Sequence, residues 1–159
     1  MGCLQSSFQE EGASSGEATR QRWVHFVGIG GVGLSALARV AKVEGWKVTG
    51  SDISENSMVK ELIAEGIDVS VGHAEANLQG EQGDLPDVIE VTSAVKNSIS
   101  EVDYAKQQCV PVLKRSEWLA CLTQNKELLA IAGTHGKTTT SAMLAWSLTE
   151  IGCEVTAVV

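Results

Sequence analysis

The feature that most constrains the fold of this chain is a group of glycines directly after an apolar run. Residues 23–27 have the length and composition of a buried strand, and residues 28–33 follow with the spacing G-x-G-x-x-G. A helical pattern then continues to Glu44, and a second strand over 46–50 leads to Asp52. This order predicts a strand–turn–helix–strand unit of the dinucleotide-binding type.

Each glycine of the first turn has an expected task. Gly28 permits the tight turn, Gly30 lets a pyrophosphate approach the backbone, and Gly33 allows helix and strand to pack closely. Asp52, 19 positions after the last glycine, can accept hydrogen bonds from ribose hydroxyls. The alternative is a purely structural turn. Because strand, helix, second strand and acidic residue occur in register, we favour nucleotide binding.

Strand and helix patterns continue to alternate beyond Asp52, which predicts an α/β fold with a Rossmann-like, doubly wound parallel sheet. Ligands of such sheets bind at the carboxyl ends of the strands, where the glycine turn, Asp52, His73 and Ser93 would gather. The further predicted elements are a helix over 56–65 and strands over 67–71, 87–92 and 110–113.

A second glycine turn lies at residues 133–139. The apolar run 128–132 predicts a strand before it, and a helical pattern follows from Thr140. Backbone N–H groups at a helix N-terminus suit a polyphosphate. Lys137 would reach the β- and γ-phosphates of a nucleotide, and the Thr138 hydroxyl can ligate Mg²⁺.

This second turn departs in one position from the strict phosphate-loop pattern G-x-x-x-x-G-K-[ST]. Ile131 stands where that pattern has a glycine. A plain strand-to-helix turn with a solvated lysine is the alternative interpretation. We favour a phosphate site, because the G-K-T core lies between an apolar run and a helical pattern, as the motif requires.

Composition excludes several classes of partner. The net charge of −8 and the isoelectric point near 4.8 argue against nucleic acid, whose phosphates would be repelled. Four scattered cysteines and three histidines make a zinc site improbable and favour reduced thiols in an intracellular compartment. No segment is long and apolar enough to span a membrane, so membrane binding would require lipidation at Gly2 or Cys3.

The sequence predicts a tail, one complete domain, a connector and the beginning of a second domain. Residues 1–22 are polar and should form a disordered tail. The sheet domain is predicted over 23–114, a connector with one short helix over 115–126, and the start of a second, truncated α/β domain over 127–159. That last segment ends in an apolar strand, 155–159, and one strand–helix–strand unit cannot close a sheet. We therefore expect the chain to be a fragment that is inactive alone.

Taken together, these motifs resemble the Mur ligases of peptidoglycan synthesis, and in particular the alanine-adding members of that family. His135 and the G-I-G-G form of the first turn point to those members. The resemblance implies a cytoplasmic setting; because Trp118 resembles plant and algal homologues, the plastid stroma is the alternative. The resemblance is carried by residues 25–35, 50–52, 93–95, 111–112, Arg115, Glu117 and 133–139.

The resemblance implies an ATP-dependent ligase that joins L-alanine to UDP-N-acetylmuramate through an acyl phosphate, with Mg²⁺ as cofactor. It implies three domains, of which the one that binds alanine is absent from this chain. It assigns Gly28, Gly30, Gly31 and Gly33 to the UDP diphosphate, Asp52 to the ribose region, and His73 and Asn77 to the uridine pocket. It assigns Gly133, Thr134, His135, Gly136, Lys137, Thr138 and Thr139 to the ATP phosphates, Lys137 to catalysis and Thr138 to the metal.

Two other functions stay open at the level of sequence. An NAD-dependent oxidoreductase would use the first glycine turn and Asp52, but it leaves Lys137 unexplained. A non-catalytic UDP-sugar-binding module would fit the short second segment. Among individual residues, His73 alone could be an ordinary surface histidine, and Ser93 and Arg115 are better explained as structural or hinge residues than as catalytic ones.

Overall fold

The computed structural model describes residues 20–80, 82–92, 99–124 and 126–158. The predicted tail over 1–22 lies mostly outside the described residues, as do Gly2, Cys3, Ser93 and Val159. The elements are β1 (Trp23–Val27), α1 (Val32–Val43), β2 (Lys47–Asp52), α2 (Ser57–Ala64), β3 (Asp68–Val71), a 3₁₀ turn (Glu75–Leu78), β4 (Val88–Val91), α3 (Ser100–Gln107), β5 (Val112–Lys114), α4 (Arg115–Thr123) and α5 (Lys137–Glu150).

The five strands form one parallel sheet in the order β3-β2-β1-β4-β5. The strand order reverses between β1 and β4, which creates the crevice at which such sheets bind ligands. The predicted α/β fold with a parallel sheet is therefore confirmed. The helix ends also follow their expected signals: the Asn56 side chain accepts a hydrogen bond from Val59 N and caps α2.

Apolar side chains cover both faces of the sheet. On one face, α1, α2 and α4 pack against Val24, Phe26 and Val48. Trp118 of α4 is fully buried there and makes edge-to-face contacts with Phe26 and Trp46, at centroid distances of 6.0 and 5.1 Å. On the other face, a second cluster forms between α3, the 3₁₀ turn and the strands β4 and β5. Its buried members are Leu78, Ile89, Val102, Ala105 and Val110.

Two predicted strands are wrong. Residues 128–132 and 155–158 have no strand structure, and Leu128 and Leu129 are 62% and 55% exposed. A strand persists only when its backbone groups find a partner, and among the described residues every strand belongs to the completed five-stranded sheet. Helix α5 does form, but none of its residues is buried, and Trp146 is 68% exposed.

One carboxyl group is buried within this packing, and its burial is energetically unfavourable. Glu90 of β4 is fully buried on the same face as Val88, and neither of its carboxyl oxygens has a hydrogen-bond partner among the residues that the structure describes. Burial raises the pKa of Glu90 to about 8, although the nearby Arg115 guanidinium acts in the opposite direction. The native state therefore holds a proton that the unfolded chain releases near its ordinary pKa.

We predict that Glu90→Gln stabilises the protein increasingly as pH rises. Below pH 4.5 the carboxyl is neutral in both states, whereas between pH 4.5 and about 8 only the unfolded state ionises. Wild-type stability should fall relative to the variant by about 1.4 kcal/mol per pH unit in that window, then level off. Denaturant unfolding at several pH values measures the difference. Glu55→Gln, at an exposed position, is the matched control, and parallel curves for wild type and Glu90→Gln would contradict the prediction.

Candidate functional site

The first glycine turn is held against the end of β2. Backbone N–H groups of Gly28 and Ile29 both donate to the Ser51 carbonyl, at 2.8 and 3.1 Å. Gly28 has φ +84°, a left-handed conformation that strongly favours glycine. The turn leads into α1 at Gly31, where no side chain caps the helix. Leu34 N already donates to the Gly31 carbonyl at 3.1 Å, but the N–H groups of Val32 and Gly33 have no acceptor among the described residues and are available for an anion such as a diphosphate.

A further glycine, on the neighbouring strand, makes room for this turn. A methyl group added at Gly50 would lie 2.5 Å from Ile29 Cδ1 and 3.0 Å from the Phe26 carbonyl oxygen. Ile29 itself is fully buried. The close approach of turn and strand therefore depends on Gly50, a position that the G-x-G-x-x-G spacing does not include.

Gly30 and Gly33 each lie against side chains from other parts of the sequence. A methyl group at Gly30 would lie 2.7 to 2.9 Å from Asn56, Asp52 and Val59 side-chain atoms. One at Gly33 would contact the guanidinium of Arg115, with Cζ at 2.7 Å. The expected role of Gly33 in helix–strand packing is thus replaced by contact with an arginine side chain.

Asp52 anchors the turn. Its Oδ2 accepts a hydrogen bond from Gly30 N at 2.9 Å, and its Oδ1 accepts one from Ser54 N at 3.3 Å. Its carbonyl oxygen accepts from Gly72 N at 2.7 Å. Asp52 lies beside the glycine turn as predicted, but both carboxylate oxygens already serve the backbone around it.

A buried carboxylate that sequence reasoning missed lies next to this turn. Glu101, in the first turn of α3, is fully buried and accepts hydrogen bonds from Ser51 Oγ at 2.7 Å and from Asn77 Nδ2 at 2.6 Å. His73 Nδ1 is 3.1 Å from the same carboxylate. Burial alone would raise the pKa of Glu101, but interactions with His25, Ser51 and Asn77 outweigh it and lower that pKa.

A second histidine reaches Glu101 from inside the sheet. His25 of β1 is 1% exposed, and its Nε2 is 3.7 Å from Glu101 Oε1, longer than a hydrogen bond. Its Nδ1 contacts Thr49 Oγ1 at 2.7 Å, and that oxygen also accepts from Trp23 Nε1 at 2.8 Å. A neutral His25 ring with its hydrogen on Nε2 would direct that hydrogen at the carboxylate and would accept the Thr49 hydrogen at Nδ1.

The predicted uridine-pocket residues converge on Glu101. His73 Nδ1 is 2.9 Å from Ser51 Oγ, and Asn77 Nδ2 donates to the Gly72 carbonyl at 2.9 Å. Ser51 therefore joins the glycine turn, through its carbonyl, to His73 and Glu101, through its hydroxyl. The structure brings the predicted residues Gly28, Gly30, Gly31, Gly33, Asp52, His73 and Asn77 together at one edge of the sheet.

The second glycine turn forms a separate, exposed site. Gly136 has φ +75° and precedes the first residue of α5. The Lys137 ammonium group donates to the Gly133 carbonyl at 2.8 Å and so folds back over the turn. Thr134, His135, Thr138 and Thr139 are all exposed around it.

Among residues 20–80, 82–92, 99–124 and 126–158, no group of three or more His, Cys, Asp or Glu side chains is arranged to hold a metal ion. Within the same ranges, no helix combines the length and apolar character needed to cross a bilayer.

Comparisons with known proteins agree with these features. A profile described as "Mur ligase family, catalytic domain" matches residues 23–127. A UDP-N-acetylmuramate–L-alanine ligase of Carboxydothermus hydrogenoformans is 46% identical over 129 residues, which cover 81% of this chain and 27% of the relative. The corresponding protein of Aquifex aeolicus is 43% identical over 135 residues, covering 85% of this chain and 29% of the relative.

Solved structures give the same picture. A UDP-N-acetylmuramate–alanine ligase from Thermotoga maritima is similar with a TM-score of 0.70 and 36% identity, over 80% of this chain and 29% of that one. A murein peptide ligase from Psychrobacter arcticus is similar with a TM-score of 0.72 and 33% identity, over 82% and 27%. The chain thus spans between a quarter and a third of the length of these relatives.

We predict that alanine substitutions at Gly30 and Gly33 have opposite effects on stability. Gly30→Ala should destabilise by about 1–3 kcal/mol, because the new methyl group meets the anchoring Asp52 and the buried Val59. Gly33→Ala should be neutral or stabilise by up to about 1 kcal/mol, because alanine favours the helix and the exposed Arg115 side chain can move. Denaturant unfolding compares the two variants, and equal losses would refute this account of the turn.

Proposed function

Because this chain belongs to the Mur ligase family, we propose that it carries the UDP-sugar site and the ATP-phosphate site of a ligase that joins L-alanine to UDP-N-acetylmuramate. The substrate assignment is supported by similarity to alanine ligases at 43–46% identity. The proposal includes a cytoplasmic setting and the division into a sheet domain, a connector and the start of an ATP-binding domain. We propose that L-alanine binds outside this sequence.

The observation that carries the proposal is that two kinds of binding group of the protein, backbone N–H groups and polar side chains, lie together at one edge of the sheet. The glycine turn offers backbone N–H groups at the start of α1, which suit a diphosphate. His73 and Asn77 lie on the far side of Ser51 and would contact the uridine. A nucleoside diphosphate is a ligand that needs both.

The second turn would hold the phosphates of ATP. Gly136, in its left-handed conformation, precedes α5, and a methyl group there would meet no atom of the described residues within 4 Å, so this side of the turn is open to a ligand. Lys137 would exchange its bond to the Gly133 carbonyl for phosphate oxygens, a stronger charge-assisted contact. The exposed Thr138 hydroxyl is a hard oxygen ligand suited to Mg²⁺.

The proposed reaction uses these residues for binding and charge stabilisation. A carboxylate oxygen of the muramoyl group attacks the γ-phosphorus of ATP, the bond to ADP breaks, and an acyl phosphate forms. The alanine amine then attacks the acyl carbon, phosphate leaves with the bonding electrons, and the amine loses a proton. Lys137 would stabilise the charge on the transferred phosphoryl group, and Mg²⁺, when bound, would neutralise phosphate charge.

We predict that the chain binds UDP-N-acetylmuramate and not NADH. The residue on which an NAD site would depend, Asp52, already accepts two backbone N–H bonds, whereas His73 and Asn77 would add contacts to uridine. Calorimetric titration of the full chain with each ligand at equal concentrations tests this. Saturable binding of NADH alone would favour an oxidoreductase and overturn the proposal.

We predict that Lys137→Ala weakens ATP binding roughly tenfold or more, because a charge-assisted contact is lost. UDP-N-acetylmuramate affinity should be unchanged, since Lys137 belongs to the other turn. Titrations with Mg-ATP and with the UDP-sugar measure both effects, and Lys60→Ala, an exposed lysine on α2, is the matched control. Equal ATP binding by the wild type and Lys137→Ala would instead support a module that binds only the UDP-sugar.

A further inference from the structure

A polar cavity of about 440 Å³ lies on the sheet, away from the glycine turn. Its lining includes Trp23, Lys47 and Asp68, which are the first residues of β1, β2 and β3. The glycine turn follows the opposite, carboxyl end of β1. Neither that turn nor His73 lines the cavity, and Asn77 is the residue that borders both places. The cavity is therefore a second concave region, at the amino ends of three neighbouring strands.

The cavity exists because the helices leave part of one sheet face uncovered. Val24, Val48 and Val69 point to the face on which α1 and α2 pack. Because side chains alternate along a strand, Thr49 and Ser70 point to the other face, where they line the cavity. The strand residues of the apolar cluster beneath α3 come from β4 and β5. Parallel sheets ordinarily have both faces covered, so a polar half-face of this kind is open to a polar ligand.

Two opposite charges at the cavity have no partner of opposite sign. The Lys47 ammonium group lies over the Trp23 ring, 4.0 Å from its centroid. Within the part of the chain that the structure describes, the side chains of Lys47 and Asp68 form no ion pair and no hydrogen bond. A further lining carboxylate, that of Asp84, is 3.9 Å from Arg20 Nη2. A ligand that enters the cavity must therefore displace water from an unpaired cation and an unpaired carboxylate.

These charges decide which class of ligand fits. Removing water from a charge is costly unless a group of opposite charge replaces it. A neutral sugar would leave both Lys47 and Asp68 unpaired, and a polyanion such as a nucleotide would be repelled by Asp68 and Asp84. A zwitterion can pair with both charges at once. The amide side chains of Gln79 and Gln82, which also line the cavity, offer donors and acceptors that match a peptide group.

We propose that this cavity is a second binding site, separate from the nucleotide site, for a short peptide with free termini. Lys47 leaves the Trp23 ring and binds the peptide carboxylate, and Asp68 binds the peptide ammonium group, each through a charge-assisted hydrogen bond. Gln79 and Gln82 bind the peptide group between the two termini. The volume of the cavity lies within the range of small-molecule sites.

The first test titrates glycylglycine into the full chain and follows the indole N–H resonances. Trp23 Nε1 donates to Thr49 Oγ1 at 2.8 Å, and Thr49 lines the cavity, so the Trp23 resonance reports on its occupancy. This resonance should shift saturably, with a dissociation constant on the order of 1 mM or lower. The resonance of Trp146, exposed on α5, should not move. Absence of a saturable Trp23 shift would overturn the proposal.

Blocked peptides test the two termini on the wild type. Glycylglycinamide lacks the carboxylate and N-acetylglycylglycine lacks the ammonium group, so each should bind roughly tenfold more weakly than glycylglycine. Equal affinity for all three peptides would overturn the assignment of a zwitterion. A saturable shift with N-acetylglucosamine, a neutral sugar, and none with glycylglycine would also overturn it.

Two variants at exposed positions then assign the termini to residues. Lys47→Gln should bind glycylglycine about as weakly as glycylglycinamide, whose own affinity should be unchanged. Asp68→Asn should do the same with N-acetylglycylglycine. Lys60→Gln and Glu55→Gln, which remove the same charges at exposed positions, are the controls. An equal loss for all three peptides would show a purely structural effect and overturn the proposal.

A competition experiment separates this site from the nucleotide site. Saturating UDP-N-acetylmuramate should leave the glycylglycine affinity unchanged within about twofold, because the two ligands occupy opposite ends of the strands. Displacement of the peptide by the UDP-sugar would mean that the cavity belongs to the nucleotide site, and would overturn the proposal of a second site. A chain that binds glycylglycine but not UDP-N-acetylmuramate would overturn the proposed function and support the peptide site.

Discussion

The hydrogen bonds of Ser51 are the interaction on which the site at the sheet edge depends. Its carbonyl holds the glycine turn through Gly28 and Ile29, and its hydroxyl holds Glu101 beside His73. One residue at the end of β2 thus fixes two parts of the site that are far apart in sequence. Because Ser51 is fully buried, water cannot replace either set of bonds without opening the sheet.

Much of the fold could be predicted from the sequence because hydrophobic periodicity and glycine spacing are local signals. The strand at 23–27, the cap at Asn56 and the parallel alternation all follow from short segments. The strands expected at 128–132 and 155–158 do not form, because strand formation also depends on a partner that no local pattern can supply. Helix α5 satisfies its backbone internally, which is why its prediction succeeded where those of the flanking strands did not.

The site was predictable in part for the same reason. The glycine turn and Asp52 belong to one motif with fixed spacing, and the structure places them together. Glu101 carried no such signal: an acidic residue in the first turn of a helix ordinarily favours the helix dipole from the surface. Only tertiary packing reveals that this carboxylate is buried among hydroxyl, amide and imidazole donors. The contact between the Arg115 guanidinium and Gly33, which are 82 positions apart in the sequence, likewise could not be predicted from a local pattern.

The contact between Ile29 and Gly50 has a consequence for transplanting this turn into other proteins. A designer who copied only residues 28–33 onto a new strand and helix would keep the glycine spacing but would lose the space that Gly50 leaves for Ile29. Any side chain at the facing position of the adjacent strand would collide with the isoleucine and displace the loop. A transplanted turn therefore needs both strands, and the second strand must carry a glycine at the position that faces the isoleucine.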